Sequence, residues 1–256
     1  MAKLKLAALQ MDIDFDEPIN NCRKLTSASL DAANSGVDVL ITPEMFSTGF
    51  TMSEEIARTS ETATFEAVRA CARDNRINII AGFPVVAVDH KLRNAAVVVN
   101  RKGDVIHQYL KTHLFSLMNE DKHYMPGKGA SVFELEGVRI SLAICYDLRF
   151  PELFRQVARQ VDVFCVIASW PNARQHHWDT LLRSRAIENQ AYIVGVNRVG
   201  VGGELFFDGG TSVISPLGNV LCCKYSQEGL LYETIDTEQV AVIRDNYPFL
   251  QDIKLI

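Results

Sequence analysis

Residues 161–168, V-D-V-F-C-V-I-A, loosely repeat residues 37–43, V-D-V-L-I-T-P, and this likeness sets the reading of the fold. Both are short runs rich in β-branched residues. Both are flanked by stretches with helical spacing, the alternation expected of βαβ units in a layered α/β domain. Ahead of the first run lie a strand over 4–11 and a helix that opens at Pro18, carries Ile19, Cys22, Leu25 and Leu30, and ends near Asn34-Ser35-Gly36. After it the spacing predicts a helix over 61–75, a strand over 77–83, and a hairpin of 94–100 with 105–110 around Lys102-Gly103-Asp104. The second run sits between a helix from Pro151 to about 160 and a helix over 176–190, with a strand over 138–144 before both. A further hairpin at 212–222 turns at Pro216 and Gly218. No Pro- or Ser-rich linker parts the halves. Residues 1–256 therefore read as one domain whose two α/β halves stack sheet to sheet.

The composition supports a single large core. Of 256 residues, 48% are apolar and 22% charged, far from the signature of disorder. A chain of this length buries roughly 70–75% of its unfolded surface on folding, so it needs neither metal nor disulfide as a staple. The formal charge of −5 argues against nucleic-acid or anionic-membrane partners, which would require a basic face. Cys22, Cys71, Cys145, Cys165, Cys222 and Cys223 are irregularly spaced without a C-x-x-C pair, and read as reduced thiols of a cytosolic protein. The opening M-A-K-L-K-L-A-A-L-Q-M is too short in its apolar part, and too soon followed by Asp12, Asp14 and Asp16, for a secretory signal. No apolar run approaches the ~20 residues of a membrane span. The expectation is a cytoplasmic protein.

Cofactor motifs are missing. His176 and His177 are adjacent, would point about 100° apart on a helix, and belong to no H-E-x-x-H or Cys/His quartet. G-V-G-G at 200–203 fits neither a dinucleotide fingerprint nor a phosphate loop and reads as a turn. No G-x-S-x-G marks a serine hydrolase. The sequence thus calls for no metal and no other cofactor.

Cys145 stands apart, because an apolar strand feeds into it and Y-D-L-R-F-P-E (146–152) then leads to a Pro-started helix. A thiol at such a turn lies at the carboxyl end of the sheet, where nearby N–H groups can lower its pKa and receive an oxyanion. The bland alternative is a small buried hydrophobe. Glu44 ends a buried-looking strand after Pro43, where a carboxylate is costly unless paired or used. A helix cap or surface ion pair is the alternative for Glu44, and a solvated side chain the alternative for Lys111, which closes V-I-H-Q-Y-L. Together, a thiol, a carboxylate base and an ammonium at strand ends are what acyl transfer needs.

These residues carry a family likeness. P-E-M-F-S-T-G-F (43–50), G-D-V-I-H-Q-Y-L-K-T-H-L-F (103–115) and C-Y-D-L-R-F-P-E (145–152) resemble the three signature blocks of the nitrilase, or carbon–nitrogen hydrolase, superfamily. The similarity runs from the first strand through W-P-N-A-R-Q-H-H-W (170–178) to the hairpin at 212–222. The resemblance implies a four-layer αββα sandwich of two pseudo-repeated halves and pairing as a homodimer or higher homo-oligomer. It also implies Glu44 as general base, Lys111 as oxyanion partner and Cys145 as nucleophile of a thioester, with Glu120 as the family's second glutamate, placed by Pro126-Gly127. Glu134 and Glu136 are rivals for that last place but belong to the strand candidate V-F-E-L-E.

C-Y-D-L-R-F departs from the C-W-E of true nitrilases. H-L-F after the lysine, R-F-P-E after the cysteine and A-I-E-N-Q-A-Y (186–192) look most like the omega-amidases, which act on 2-oxoglutaramate and 2-oxosuccinamate. For the distal carboxylate of such a small-molecule amide, Arg149 and Arg174 are the candidates, with Phe115, Tyr146 and Trp170 as pocket walls. Arg149 could instead bridge Asp147 or Glu152. Other outcomes on the same scaffold are an N-carbamoyl-amine or N-carbamoyl-amino-acid hydrolase, or a non-catalytic binding protein.

Overall fold

The computed structural model describes residues 2–255. The first half runs β1 (Lys3–Gln10), α1 (Pro18–Asn34), β2 (Val39–Ile41), α2 (Glu54–Asn75), β3 (Asn78–Val86), β4 (Leu92–Val99) and β5 (Val105–Leu110). A short helix α3 (Glu120–His123) leads to the second half: β6 (Val132–Leu135), β7 (Val138–Ile144), α4 (Pro151–Arg155), β8 (Val163–Ala168), α5 (Gln175–Asn189), β9 (Tyr192–Asn197), β10 (Val199–Gly202), β11 (Leu205–Ile214) and β12 (Val220–Tyr225). Strand β13 (Gly229–Asp236) and helix α6 (Thr237–Asn246) follow.

The two sheets share one plan. In the first, β1, β2 and β3 are parallel neighbours, extended by antiparallel β4 and β5. In the second, β7, β8 and β9 are parallel and antiparallel β11 and β12 extend them. Each plan gains an antiparallel strand beside its first member, β13 on β1 and β6 on β7. The C-terminal strand thus crosses back to the sheet of the first half.

Alternation along each strand builds the layers. From β1, Leu4, Leu6 and Ala8 pack between the sheets with Val163, Cys165 and Ile167 of β8. Their neighbours Ala7 and Leu9 face Leu25 of α1 and Val68 of α2, while Phe164 and Val166 face Phe154 of α4 and Leu182 of α5. A strand covered on both faces needs apolar residues at consecutive positions, which is why V-L-I and V-F-C-V-I-A lack polar alternation. The result is an αββα sandwich, as the resemblance implies.

Two boundaries differ from the sequence reading. Helix α2 starts at Glu54, not near 61, because Ser53 caps it by accepting from the Ile56 N–H and Glu54 and Glu55 supply first-turn acids. The segment from Pro151 is helical only to Arg155, and its path to residue 160 continues as a separate 3₁₀ turn over Ala158–Gln160. Among the described residues no helix is long and apolar enough to cross a membrane.

Candidate active site

Stacking the two sheets brings the ends of several strands to one place. Thr42, Pro43 and Glu44 follow β2, Lys111 follows β5, Cys145 follows β7 and Ser169 follows β8. The backbone at Glu44 can approach β3 only because residue 82 is glycine: a Cβ there would lie 2.6 Å from the Pro43 carbonyl oxygen and 2.9 Å from the Glu44 Cα. The close approach is secured by the Phe46 N–H, which donates to the Gly82 carbonyl at 2.8 Å.

The floor of the site is a fully buried ionic cluster. Lys111 Nζ donates to Glu44 Oε1 at 2.8 Å and to Glu120 at 3.0 Å (Oε1) and 2.9 Å (Oε2). Glu120 therefore lies where the sequence reading set it, while Glu134 on β6 is outside this cluster. Every carboxylate oxygen here has a donor. Glu44 Oε2 accepts the Ser169 N–H at 2.9 Å, and Glu120 Oε2 accepts the Phe115 N–H at 2.6 Å. Asn94 of β4, unremarked in the sequence, donates through Nδ2 to Glu44 Oε1 at 2.7 Å and to Glu120 Oε1 at 2.8 Å. Burial alone would push the Lys111 ammonium down, but Glu120 and Glu44 beside it hold it above its ordinary value.

Cys145 opens the 3₁₀ turn Cys145–Arg149 with a left-handed φ of 46°, a conformation that costs a non-glycine residue energy and persists where neighbours enforce it. Asp147 does the enforcing. Its Oδ2 accepts the Ile144 N–H at 3.0 Å and the Tyr109 hydroxyl at 2.8 Å, and its Oδ1 accepts the His113 N–H at 2.8 Å. Arg185 of α5 clamps the far end of the turn, donating to the Leu148 carbonyl at 2.7 and 3.1 Å.

A backbone donor, the Ser169 N–H, does lower the pKa of the thiol as expected, but larger effects outweigh it. Burial and the Glu44 charge instead push the Cys145 thiol well above its ordinary value, against weaker opposing pulls from Lys111 and the Ser169 N–H. Lys111 is shared between two carboxylates, and its pull on the thiol is the weaker effect. Burial and the neighbouring carboxylate favour the thiol of Cys145 over its thiolate.

Above the floor opens a cavity of about 340 Å³ that includes Glu44, Lys111 and Cys145. Phe115 and Tyr146 form one wall with ring centroids 4.9 Å apart, and buried Trp170 forms another, its indole N–H donating to the Arg174 carbonyl at 2.9 Å. Arg149 and Arg174 both line the mouth. Arg149 lies 4.6 Å over the Trp170 ring and donates to His177 Nδ1 at 3.3 Å, so it bridges neither Asp147 nor Glu152. Arg174 lies 5.7 Å from the Phe115 ring. Among the described residues neither guanidinium has a carboxylate partner. Burial, and then the Arg174 charge, lower the pKa of Arg149. Of the stretch read as a turn at 200–203, residues 200–202 belong to strand β10, and the chain turns into β11 only at Gly203 and Glu204, which also border the mouth.

Beneath that hairpin lies Arg198, buried and unmarked by any signal in the sequence. It donates to the Ile13 and Val201 carbonyls at 2.9 and 3.0 Å and packs 4.5 Å from the Phe207 ring, and burial lowers its pKa to about 10. Among the described residues no three His, Cys, Asp or Glu side chains converge as a metal site.

The carbon–nitrogen hydrolase family model matches residues 5–245. The chain belongs to the carbon–nitrogen hydrolase family. It is 32% identical over 255 residues to the 2-oxoglutaramate amidase of Bacillus subtilis (strain 168), covering 98% of each chain. Among solved structures, this carbon–nitrogen hydrolase superposes with TM-score 0.91 and 30% identity on the protein XC1258 of Xanthomonas campestris, a CN-hydrolase superfamily member with an arsenic adduct in its active site, over 100% of this chain and 99% of that one. It superposes with TM-score 0.89 and 26% identity, over 99% and 94%, on an amidase variant from Nesterenkonia sp. AN1 that carries the acetamide moiety of fluoroacetamide on its active-site cysteine.

Proposed function

We propose that the protein is an omega-amidase: it hydrolyses the amide of a small 2-oxo dicarboxylic monoamide, 2-oxoglutaramate or 2-oxosuccinamate, to the carboxylate and ammonia. The observation that carries this reading is that two guanidiniums without carboxylate partners among the described residues stand over a buried Glu-Lys floor and a thiol in one cavity. The floor supplies the chemistry. The arginines supply an anion site for the end of the substrate that does not react. The names of the relatives point the same way: 2-oxoglutaramate amidase in Bacillus subtilis and omega-amidase in Escherichia coli (strain K12).

In the proposed reaction Glu44 takes the proton of Cys145 as the sulfur bonds to the amide carbon. Proton removal accompanies attack in this scheme, because burial and the Glu44 charge favour the thiol over the thiolate. The oxyanion meets Lys111 and the backbone N–H of Tyr146. Glu44 then protonates the leaving nitrogen, the C–N bond breaks, and ammonia departs from a thioester. A water molecule gives its proton to Glu44 while its oxygen attacks the thioester, and the sulfur leaves with the proton returned. Glu120, by accepting from Lys111 through both its oxygens, keeps the ammonium held at the site. Every proton in this sequence is carried by Glu44, the thiol, water or the substrate.

We also read the chain as one domain over 1–256, cytoplasmic, working without nucleic acid or membrane and pairing as a homodimer or higher homo-oligomer. These parts of the reading rest on composition and on the family resemblance.

Ammonia release from 2-oxoglutaramate, glutamine and a neutral aliphatic amide, by the wild type and by Cys145→Ala, tests the proposal. The wild type is expected to prefer 2-oxoglutaramate and Cys145→Ala to release none, because no other nucleophile occupies that turn. Turnover by Cys145→Ala near the wild-type rate removes the mechanism. Equal wild-type rates on charged and neutral amides remove the omega-amidase reading and favour a carbamoyl or aliphatic-amide branch.

A further inference from the structure

The floor holds one polar side chain to which the proposed reaction gives no task. Strand register sets Asn94 of β4 beside Lys111, whose backbone N–H donates to the Asn94 carbonyl at 2.9 Å. Asn94 is fully buried, and its Nδ2 donates to both Glu44 and Glu120. Its Oδ1 has no partner among the described residues. A flipped amide would aim that oxygen at two carboxylates. The charges therefore select the donating orientation although it leaves a buried acceptor unpaired, a state that native structures rarely retain without a use.

The amide makes the two oxygens of Glu44 unequal. Oε1 accepts from Asn94 at 2.7 Å and from Lys111 at 2.8 Å, which fills its two acceptor positions. Oε2 accepts only the Ser169 N–H, at 2.9 Å, and that same backbone group is among the influences that pull the Cys145 thiol pKa down. Oε2 is thus the oxygen that keeps a vacant lone pair.

We propose that Asn94 is a positioning residue that saturates Oε1 of Glu44 and so directs the proton exchanged with Cys145 to Oε2. The inference rests on Glu44 as the acceptor of that proton. In the step the Sγ–H bond breaks and the Oε2–H bond forms, and Asn94 neither gains nor loses a proton. Without the amide, Glu44 keeps one donor on Oε1, its carboxylate form loses a stabilising hydrogen bond, and the incoming proton has two places to go.

Asn94→Asp keeps the shape and removes the NH₂ group, and Asn94→Ser leaves one donor. Two readouts apply to each: kcat and KM for ammonia release across pH, and the pH dependence of Cys145 alkylation by iodoacetamide, which needs no knowledge of the true substrate. Losing a charge-assisted hydrogen bond corresponds to roughly a 10- to 100-fold effect. Asn94→Asp is expected to lose about that much kcat with KM little changed, and the acid limb of both profiles to move to higher pH. Asn94→Ser is expected to fall between Asn94→Asp and the wild type. Profiles that superimpose on the wild type, or a rise in KM at unchanged kcat, overturn the proposal. So does lost activity accompanied only by a lower Tm with no displaced limb, which marks Asn94 as structural. If no amide is turned over by the wild type, the reading of the function fails, while the alkylation profile still decides the role of Asn94.

Discussion

The floor and the mouth of the cavity are built on opposite principles. At the floor, Glu44, Lys111, Glu120 and Asn94 are buried, every carboxylate oxygen is matched with a donor, and four segments of the chain are tied together by bonds of 2.7–3.0 Å. At the mouth, Arg149 and Arg174 lie against aromatic rings at 4.6 and 5.7 Å without carboxylate partners among the described residues, and a histidine nitrogen is the polar contact of Arg149. A paired cluster holds geometry and has no unpaired cation for a ligand's permanent charge, only Lys111 for the charge that develops on the reacting carbonyl. An unsaturated one has its donors free for an incoming anion. The floor should therefore control kcat, and the mouth the choice of substrate.

The strongest challenge to this division is Lys111→Met, which removes the one cation shared by two buried carboxylates. Activity is expected to vanish, and stability to fall by about 3–5 kcal/mol, the range for breaking a buried ion pair from one side. An unpaired buried carboxyl folds best protonated, so the deficit measured by urea unfolding should shrink as pH is lowered. A Lys111→Met protein as stable as wild type at neutral pH would mean that the cluster is hydrated and the floor is not rigid.

Glu44→Gln tests the floor more finely. It keeps the shape while deleting the proton acceptor, and kcat should drop by roughly 10²–10⁴-fold. At the same time the Cys145 thiol should ionise at lower pH than in the wild type, because the Glu44 charge is among the causes that hold it up. A titration of thiolate absorbance with the other five cysteines replaced reads this shift. Lost turnover together with a thiol that ionises more easily separates proton transfer from thiol acidity as the source of the rate. An unchanged or raised titration point would break that separation.

The smallest expected effects lie at the mouth. Replacing the responsible arginine, by Arg149→Met or Arg174→Met, should cost roughly 10- to 150-fold in kcat/KM on 2-oxoglutaramate, the equivalent of about 1.5–3 kcal/mol for a hydrogen bond to a charged group. Neutral amides should be nearly unaffected. An equal loss on charged and neutral amides would show that the arginine supports the Trp170 or Phe115 wall through its stacking instead of binding an anion.

The residues legible in the sequence are those whose type is out of place in a strand. Glu44, Lys111 and Cys145 each interrupt an apolar run, and a charge or thiol at such a boundary is conspicuous from the chain alone. Asn94, Ser169 and Asp147 have no such contrast. Asn94 stands at the start of N-A-A-V-V-V-N, where an asparagine reads as ordinary strand-end punctuation, and Ser169 acts through its backbone N–H, which no side chain reveals. Asp147 reads in the sequence only as a partner for Arg149, two positions on. Besides the Ile144 N–H, its partners are on β5 and the segment after it, 34 to 38 positions away. The stretch beyond residue 222 gives no local signal of its place, because β13 takes it only by pairing with β1 at the other end of the chain.

Local sequence by itself determined the layered α/β class, the buried character of the central strands and the marking of Cys145, Glu44 and Lys111 as residue types out of place at strand ends, while their roles as nucleophile, base and oxyanion partner came from the family resemblance. Hydrophobic runs, turn residues and misplaced charges are recorded within a few positions along the chain. Tertiary structure alone decided that four strand ends from two stacked sheets meet, that Lys111 is shared between two carboxylates, and that burial and the Glu44 charge push the Cys145 thiol pKa up. Those outcomes depend on burial and on distances between groups as far as 125 residues apart, such as the Ser169 N–H and Glu44. Electrostatic energies follow separation in space and local polarity, which chain order does not encode.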